Sequence, residues 1–246
     1  MRTGVIVQTR MGSSRLPGKV MIDICGKPVI EHVIDRLKMS KVLDDIIIAT
    51  TTSVKDKIIV EQAKRNGVKW FCGSEEDVLS RYYYAARENR LSTVVRVTSD
   101  CPLIDPVILD EIVEFYKKND YLLVTNAGNI LEYRTYPRGL DVEVFSFDIL
   151  EKAFYSAKKP YQREHVTPYI YETYENKIYY YKNNINLSKY RWTLDTEEDL
   201  KLISIIFNNF YYKYGRNFGF KDILKFIQSN PQLSKINEHI EQKKIG

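Results

Sequence analysis

Cysteine is scarce in this chain of 246 residues, and its scarcity makes two kinds of site improbable. The three cysteines, Cys25, Cys72 and Cys101, lie far apart and form no CxxC pair. A structural zinc site needs clustered thiolates or histidines, and a disulfide framework needs several cysteines at regular spacings. We therefore expect neither a zinc site nor a disulfide framework, and a reducing cytoplasm suits the chain.

Long apolar runs are also missing. No segment approaches the roughly 20 consecutive apolar residues that cross a bilayer. The short GVIV run at residues 4–7 is followed at once by QTR, which is not a secretory pattern. We expect a soluble, cytoplasmic protein that does not bind a membrane.

The chain has no strong charge of either sign. Lys and Arg number 37 against 32 Asp and Glu, and the two signs are mixed along most of the sequence. A nucleic-acid-binding protein usually carries a dense basic stripe. The net charge of +5 therefore favours a small anionic ligand over a nucleic acid.

What the first half of the chain does have is a regular alternation of short apolar runs and amphipathic segments. The apolar runs predict buried strands, and the segments between them predict helices. The predicted strands are 3–9, 45–51, 68–73, 92–100 and 121–126, and the predicted helices are 27–40, 54–67, 75–90 and 106–119. This alternation predicts an α/β fold of three layers, α/β/α, around a mostly parallel, Rossmann-like sheet. Ligands of such sheets bind beyond the carboxyl ends of the strands.

After residue 126 the rhythm changes. Residues 140–154 predict a strand followed by a helix, 177–183 another strand, and 191–210 a strand stub that continues into a long helix. We assign residues 1–215 to one catalytic domain, in which 127–190 form a small acceptor subdomain or dimerisation region. Residues 216–246 are predicted to form a helical C-terminal extension without a recognisable motif.

The first of the loops at the carboxyl edge is QTRMGSSRLPGK, residues 8–19. Gly12 and Gly18 are separated by five residues, where a Walker A motif has four, and Val20 follows Lys19, so the loop is not a Walker A motif; GxGxxG is absent too. Its cations, Arg10, Arg15 and Lys19, nevertheless suit a phosphate group. The alternative is a solvated basic loop.

The longer stretch QTRMGSSRLPGKVMIDICGKPVIEHVIDRL resembles the N-terminal signature of the cytidylyltransferases that activate acidic sugars. That family includes the CMP-KDO synthetases and acylneuraminate cytidylyltransferases, and the chain is more narrowly similar to its SpsF-like branch of spore-coat polysaccharide biosynthesis. The resemblance extends from residue 3 to about residue 205. It implies a fold of the nucleotidyltransferase or GT-A type and a loop that binds the triphosphate of CTP. The loop residues so assigned to the nucleotide are Gln8, Arg10, Gly12, Ser14, Arg15 and Lys19.

Two carboxylates are candidates for a magnesium site. Asp100 follows a predicted strand in VTSDCPLIDP, where it would face the basic loop, and Mg²⁺ commonly binds one or two carboxylates together with phosphate oxygens. The resemblance implies that Asp100 binds metal and that Asp195, in RWTLDTEEDL, is its partner. The family often has Gln where this chain has Thr98, so base recognition by Thr98 would differ in detail. The alternatives are a turn carboxylate for Asp100 and a capping signal around Asp199 for the second segment.

The segment GSEEDVLSRYY, residues 73–83, resembles the family's nucleoside side. Ser74 and Arg81 are its candidate nucleotide contacts. The alternative for Arg81 is a helix salt bridge with Asp77, because the two residues are four positions apart.

Four residues are candidates for binding the acceptor: Arg138, Asp141, Glu143 and His165. Asp141 and Glu143 are expected to share a strand face because strand side chains alternate. The alternative is a solvated edge strand. His165 is assigned by similarity to the SpsF-like branch, whereas His32 and His239 are expected to be structural.

Together these residues predict an Mg²⁺-dependent transfer of CMP from CTP to an acidic sugar, with release of pyrophosphate, for surface or spore polysaccharides. Catalysis would depend on Arg10, Arg15, Lys19 and Asp100. A homodimer is common in the resembling family. Three alternatives stay open: a phosphate or phosphonate acceptor, a glycosyltransferase that uses a sugar nucleotide, and a nucleotide-binding subunit without catalytic activity.

Overall fold

The computed structural model of the protein describes residues 2–127 and 131–241. Part of the predicted acceptor region, residues 128–130, and the end of the predicted extension, 242–246, lie outside the described residues. The strands are β1 (Thr3–Gln8), β2 (Asp23–Ile24), β3 (Lys27–Pro28), β4 (Asp45–Thr51), β5 (Lys69–Gly73), β6 (Thr93–Thr98), β7 (Leu123–Thr125), β8 (Glu143–Ser146) and β9 (Ile178–Tyr180).

Helices separate most of these strands. The α-helices are α1 (Val29–Leu37), α2 (Lys57–Arg65), α3 (Val78–Glu88), α4 (Pro106–Lys118), α5 (Phe147–Ser156), α6 (Pro160–His165), α7 (Pro168–Thr173), α8 (Glu197–Tyr214) and α9 (Phe220–Ser229). Short 3₁₀ helices occur at Lys19–Met21, Val54–Asp56, Leu131–Tyr133, Glu175–Lys177 and Pro231–Ile236.

Seven strands form one sheet in the order β5-β4-β1-β6-β8-β7-β9, and β2 pairs with β3 in a separate hairpin. The neighbours β5, β4, β1 and β6 are all parallel, whereas β8 runs antiparallel to both β6 and β7. Strand β1 lies between β4 and β6, and both its faces are covered. Its apolar residues Val5, Ile6 and Val7 are therefore fully buried.

Two apolar layers cover the sheet. One face packs against α1, α2, α4, α8 and α9, and the other against α3, α5 and α7. The predicted three-layer, mostly parallel fold is thereby confirmed. The segment after residue 215 belongs to the first layer, since Phe218, Ile223 and Ile227 are buried in the same core as the sheet.

The chain departs from the expected elements at two places. Residues 191–195 were predicted as a strand stub, but they form no strand, and one bridge joins Arg191 to Arg138. The antiparallel direction of β8 was not evident in its alternating pattern. In the described part of the chain no helix is both long and apolar enough to cross a membrane.

Candidate active site

A cavity of about 750 Å³ lies beyond the carboxyl ends of β1, β5 and β6. Most of the residues that the sequence predicted for nucleotide and metal come together in its wall. Those that line it are Gln8, Arg10, Gly12, Ser14, Arg15, Lys19, Arg81, Thr98, Asp100, His165 and Asp195. Ser74, Arg138, Asp141 and Glu143 are not among the lining residues. Its volume lies within the range of about 300–1,000 Å³ that is usual for ligand pockets.

The loop after β1 curls around the carbonyl of Met11, which accepts hydrogen bonds from the amides of Ser13 and Gly18 at 3.1 Å each. Gly18 has φ of 70°, a left-handed conformation that a side chain would strain. Among the described residues, the amides of Gly12 and Ser14 have no hydrogen-bond acceptor. Backbone amides exposed in this way, beside cationic side chains, can bind an anion.

Asp56 anchors this loop to the sheet, and the sequence analysis did not single it out. The Asp56 carboxylate is buried and accepts hydrogen bonds from the amide of Met11 at 2.8 Å and from the hydroxyl of Thr51 at 2.5 Å. Asp56 lies at the start of α2, a position where an acidic residue is a common capping signal. Its partner Met11 is 45 positions away, so local pattern could not have indicated the contact.

Lys19 connects the loop to both predicted metal ligands. Its Nζ donates to Asp100 Oδ2 at 3.1 Å, to Asp195 Oδ1 at 2.8 Å and to the carbonyl of Leu194 at 2.8 Å. Burial alone would lower the pKa of Lys19, but the two carboxylates outweigh it and raise this pKa above its ordinary value. Burial likewise opposes ionisation of Asp100, yet Lys19 and the Thr98 hydroxyl lower its pKa overall. Both groups are therefore charged at neutral pH.

The two carboxylates are fixed relative to each other by main-chain contacts. The carbonyl of Asp100 accepts hydrogen bonds from the amide of Leu194 at 2.8 Å and from the hydroxyl of Thr193 at 3.1 Å. The residue that follows these two is Asp195, whose Oδ2 lies 2.9 Å from Arg15 and 3.0 Å from Arg191. Segments that are far apart in the sequence therefore place two aspartates beside one ammonium group.

The donor set at this point fits Mg²⁺. Asp100 and Asp195 each place a carboxylate oxygen within 3.1 Å of the same ammonium group, so the two carboxylates lie close together. Within the described residues, no group of three or more acidic, His or Cys side chains has metal-binding geometry. Two carboxylates suffice for Mg²⁺, because this ion takes its remaining ligands from phosphate oxygens and water.

Arg81 lies on α3 in the wall of the cavity and is almost fully buried. Its Nε and Nη1 atoms have no hydrogen-bond partner among the described residues. Burial lowers the pKa of Arg81, and Asp77 does not offset this, because Asp77 caps α3 and forms an ion pair with Arg163 instead. The expected alternative, a salt bridge between Asp77 and Arg81, does not form. Two nitrogens of this buried guanidinium are therefore available in the cavity wall to an acceptor from a ligand or from water.

Ser74 stabilises the loop before α3. Its hydroxyl accepts a hydrogen bond from the amide of Asp77 at 3.1 Å, which supports the turn that leads into the helix. Gly73 packs directly against the stem of Arg81, where an added Cβ would approach Arg81 Cγ to 2.8 Å. The segment therefore positions Arg81, whether or not Ser74 itself contacts the nucleotide.

Helix α6 closes the opposite side of the cavity and brings His165 and Glu164 to its wall. The helix ends at His165. The next residue, Val166, has φ of 72° and ψ of −56°, and the amide of Thr167 donates to the carbonyl of His165 at 2.9 Å. These values define a strained γ-turn that is rare for any residue and exceptional for a β-branched one. The turn directs His165 towards the cavity and Thr167 towards the sheet.

Glu143 lies away from the cavity in a buried network. Its carboxylate forms an ion pair with Arg96 and accepts hydrogen bonds from Thr167 Oγ1 at 3.0 Å and from Tyr171 Oη at 2.7 Å. Arg96 in turn donates to Gln8 Oε1 at 3.2 Å. Glu143 thus connects α7 to a cavity residue through Arg96.

Asp141 and Arg138 lie at the edge of the site. Asp141 forms a bidentate ion pair with Arg134, so it does not share its partners with Glu143. Because β8 is antiparallel to β6, the chain before β8 passes the end of β6. Asp141 therefore lies close enough to Asp100 for its charge to raise the pKa of Asp100, against the larger lowering by Lys19. Arg138 has no side-chain hydrogen bond among the described residues. Burial lowers the pKa of Arg138, and Arg134 lowers it further.

Gly139 fixes the main chain beside Arg138. It has φ of 97°, and a Cβ there would lie 2.4 Å from the backbone of Trp192. Only glycine fits this close approach. The amide of Arg138 donates to the carbonyl of Tyr190 at 3.0 Å, and its carbonyl accepts from the amide of Trp192 at 2.7 Å, so the main chain of Arg138 is fixed next to the segment that leads to Asp195.

Comparisons with known proteins agree with this geometry. A family described as cytidylyltransferase matches residues 4–240. An uncharacterized protein of Methanocaldococcus jannaschii, MJ1063, is 41% identical over 97% of this chain and 95% of its own length. The spore coat polysaccharide biosynthesis protein SpsF of Bacillus subtilis is 29% identical over 95% of this chain and 97% of its own.

A solved structure extends the similarity to the whole fold. A cytidylyltransferase from Leptospira borgpetersenii superposes with a TM-score of 0.88 at 35% identity, covering 99% of both chains. The resemblance to SpsF-like cytidylyltransferases and the prediction of a nucleotidyl-transferring enzyme are thereby confirmed. This protein belongs to the cytidylyltransferase family.

Proposed function

We propose that this enzyme transfers CMP from CTP to a hydroxyl of a sugar acid, with Mg²⁺, in polysaccharide biosynthesis. The observation that carries the proposal is the position of Lys19. Its ammonium lies between Asp100 and Asp195 at the end of a phosphate-binding loop, inside a cavity of nucleotide size. Cations and metal ligands at one point suit a triphosphate, because its charge must be neutralised before an oxygen nucleophile can approach.

The loop would bind the triphosphate. The free amides of Gly12 and Ser14 and the side chains of Arg10, Arg15 and Lys19 supply donors along one side of the cavity. Arg10 pairs with Glu75 and Arg15 with Asp195, so phosphate oxygens would exchange with these carboxylates as partners. Mg²⁺ bound to Asp100 and Asp195 would neutralise phosphate charge and polarise the phosphoryl group.

Arg81 and Thr98 are the candidate contacts for the nucleoside. The unpaired Nε and Nη1 atoms of Arg81 need an acceptor, and a pyrimidine carbonyl or a ribose hydroxyl would supply one. The Thr98 hydroxyl donates to Asp100, so it contacts the metal ligand as well as the cavity.

In the proposed reaction, CMP is transferred from CTP to an oxygen of the acceptor. The acceptor oxygen forms a bond to the α-phosphorus of CTP, the bond from this phosphorus to the β-phosphate oxygen breaks, and pyrophosphate leaves with the bonding electrons. The acceptor hydroxyl loses its proton to solvent or to a neighbouring base. The protein contributes mainly by holding the reactants in line and by neutralising charge.

An acidic acceptor is supported by Arg138. This guanidinium is half-buried near Arg134 and Arg191, and it lacks a hydrogen-bonded anion of its own. A carboxylate or phosphate on the acceptor would supply the missing charge, since Arg binds both in bidentate fashion. His165, which lines the cavity, would contact acceptor hydroxyls.

The test is pyrophosphate release from CTP, UTP, ATP or GTP in the presence of Mg²⁺ and a panel of acidic sugars, phosphates and phosphonates. Release that requires CTP and one sugar acid supports the proposal, with the Asp100→Asn variant as the inactive control. Release only with a phosphate or phosphonate would replace the acceptor class. Transfer of sugar from a sugar nucleotide, with a nucleoside mono- or diphosphate as product, would instead indicate a glycosyltransferase.

A further inference from the structure

The segment of residues 216–241, here called the C-terminal segment, has a contact behind the carboxylate pair that no sequence motif indicates. Its apolar residues Phe218, Ile223 and Ile227 pack into the main core. Farther along lies Asn237, a polar residue that is only 2% exposed. Burying an amide is costly unless it is hydrogen-bonded, so its partners explain why a polar group is tolerated there.

Both partners of Asn237 belong to the segment that carries Asp195. Asn237 Nδ2 donates to Asp199 Oδ1 at 2.8 Å and to the carbonyl of Arg191 at 2.9 Å. These residues are 38 and 46 positions away in the sequence. The amide therefore joins the end of the C-terminal segment to both sides of the turn that contains Asp195.

Asp199 transmits this contact to Asp195 by two routes. Asp199 Oδ2 accepts a hydrogen bond from the amide of Asp195 at 3.0 Å, which fixes the main chain. Asp199 also binds the guanidinium of Arg191 at 2.8 and 2.9 Å, and Arg191 Nη2 donates to Asp195 Oδ2 at 3.0 Å. Backbone and carboxylate of Asp195 are thus held by a group that Asn237 orients.

The same segment also contacts the loop that carries Asp100. The carboxylate of Asp105 accepts a hydrogen bond from the amide of Phe220 at 2.6 Å while it caps α4. Arg36, buried in α1, donates to the carbonyl of Ile104 at 2.6 Å and to that of Phe218 at 3.0 Å. The C-terminal segment is therefore hydrogen-bonded to the supports of both candidate metal ligands.

We propose that the C-terminal segment is part of the catalytic machinery, and that Asn237 is a positioning residue that sets where the Asp195 carboxylate lies relative to Asp100. Apolar packing alone would attach the segment to the core, and it would not require a buried amide aimed at Asp199. The inference rests on the proposed function, because it assigns a role towards the metal–nucleotide complex.

The test uses the full-length chain and Mn²⁺ as a paramagnetic probe in place of Mg²⁺. Binding of Mn²⁺ to the protein saturated with CTP is measured by electron paramagnetic resonance, without acceptor and without turnover. Asn237→Asp replaces the donor by an acceptor at nearly the same volume, Asn237→Ala removes it, and Asn237→Ser retains a shorter donor. The matched control is Asn230→Ala, because Asn230 donates from the same segment to the carbonyl of Phe226 and has no contact with Asp199.

We expect Mn²⁺ to bind about tenfold more weakly to the Asp and Ala variants, the low end of the effect of removing a direct partner of a metal ligand, because Asn237 acts on Asp195 through Asp199. Asn237→Ser should fall between these variants and the unmodified protein. Asn230→Ala should bind Mn²⁺ normally even where its unfolding temperature falls. Should Asn237→Asp fail to fold, the Ala and Ser variants decide the outcome.

Two results would overturn the inference: normal Mn²⁺ binding in folded Asn237 variants, or equal weakening in Asn230→Ala. Failure of the proposed function is distinguishable from both. In that case the unmodified protein would itself bind neither CTP nor Mn²⁺ with CTP, before any variant is compared.

Discussion

The proposed nucleotide side and the proposed acceptor side of this site are built in different ways. On the proposed nucleotide side, the loops leave the carboxyl ends of parallel strands, so Gln8 and Thr98, which pair in register, reach the same edge of the sheet. On the proposed acceptor side, β8 is antiparallel to β6, so the first residue of β8 lies near the end of β6, at the same edge of the sheet. Arg138 and His165 there depend on special backbone, a glycine packed on Trp192 and a strained γ-turn.

The charges differ in the same sense. The cations of the nucleotide loop all have carboxylate partners within reach, as when Lys19 contacts Asp100 and Asp195. On the proposed acceptor side, Arg138 has no hydrogen-bonded anion among the described residues, and Arg81, which is on the proposed nucleotide side but outside the loop, shares this property. Exchangeable partners suit a polyanion that arrives with its own metal, whereas an unpartnered guanidinium suits a group that it recognises directly. Substitutions on the two sides should therefore change different kinetic constants.

The largest expected effect is on the nucleotide side. Asp100→Asn removes a charged candidate metal ligand and a partner of Lys19, and we expect kcat to fall by about 10²–10³-fold, as for loss of other groups that stabilise transition-state charge. Steady-state pyrophosphate release measures the effect, and circular dichroism establishes that the variant is folded. Asp148→Asn, which alters an exposed carboxylate on α5, is the control. Full activity in Asp100→Asn would rule out the metal assignment.

The next effect should appear on the acceptor side alone. Arg138→Gln removes a charge-assisted contact that is worth roughly 1.5–3 kcal/mol, so KM for the acceptor should rise by about 10- to 100-fold. Calorimetry should give an unchanged Kd for CTP. Lys152→Gln, which alters an exposed cation on α5, should change neither constant. A loss of CTP affinity in Arg138→Gln would mean that the two sides are not separable.

Much of the nucleotide side was predictable from sequence because its signals are local. Three signals together indicate one edge of a parallel sheet: the apolar run of β1, the loop rich in Gly and Arg that follows it, and the aspartate after β6. The structure brings Lys19, Asp100 and Asp195 to that edge. The pairing with Asp195 came from the resemblance, because the segment by itself indicates only a helix cap around Asp199. The strand that the pattern predicted at residues 191–195 does not form.

The acceptor side was less predictable because its contacts are long-range. Strand alternation placed Asp141 and Glu143 on one face, but Asp141 pairs with Arg134 whereas Glu143 pairs with Arg96 and α7. Periodicity reports burial and does not identify the partner that a buried charge has. The same reason explains why Asp77 binds Arg163, 86 positions away, rather than its helix neighbour Arg81.

A smaller effect separates affinity from stability on the nucleotide side. Arg81→Met removes a buried guanidinium with unpaired nitrogens, so CTP affinity should fall by about tenfold, which corresponds to one hydrogen bond to a charged group. The unfolding temperature without nucleotide should rise, because an unpaired buried charge is costly. Arg87→Met, six positions farther along α3 and exposed, is the control. A fall in unfolding temperature would indicate that Arg81 is a structural residue.

The smallest expected effect tests the γ-turn on the acceptor side. Val166→Ala and Val166→Gly both remove a fully buried side chain, but only glycine adopts φ of 72° without strain. The cost of holding a residue with a side chain in such a conformation is about 1–3 kcal/mol. We therefore expect the Gly variant to have the larger free energy of unfolding in urea, by about 1 kcal/mol, once the greater backbone entropy of glycine is subtracted.

The KM of the Gly variant for the acceptor should nevertheless rise a few-fold, roughly the effect of a contact worth under 1 kcal/mol, because a relaxed turn orients His165 less firmly. Equal stability of the two variants would mean that Val166 is not strained, and that the position of His165 depends on α6 packing alone.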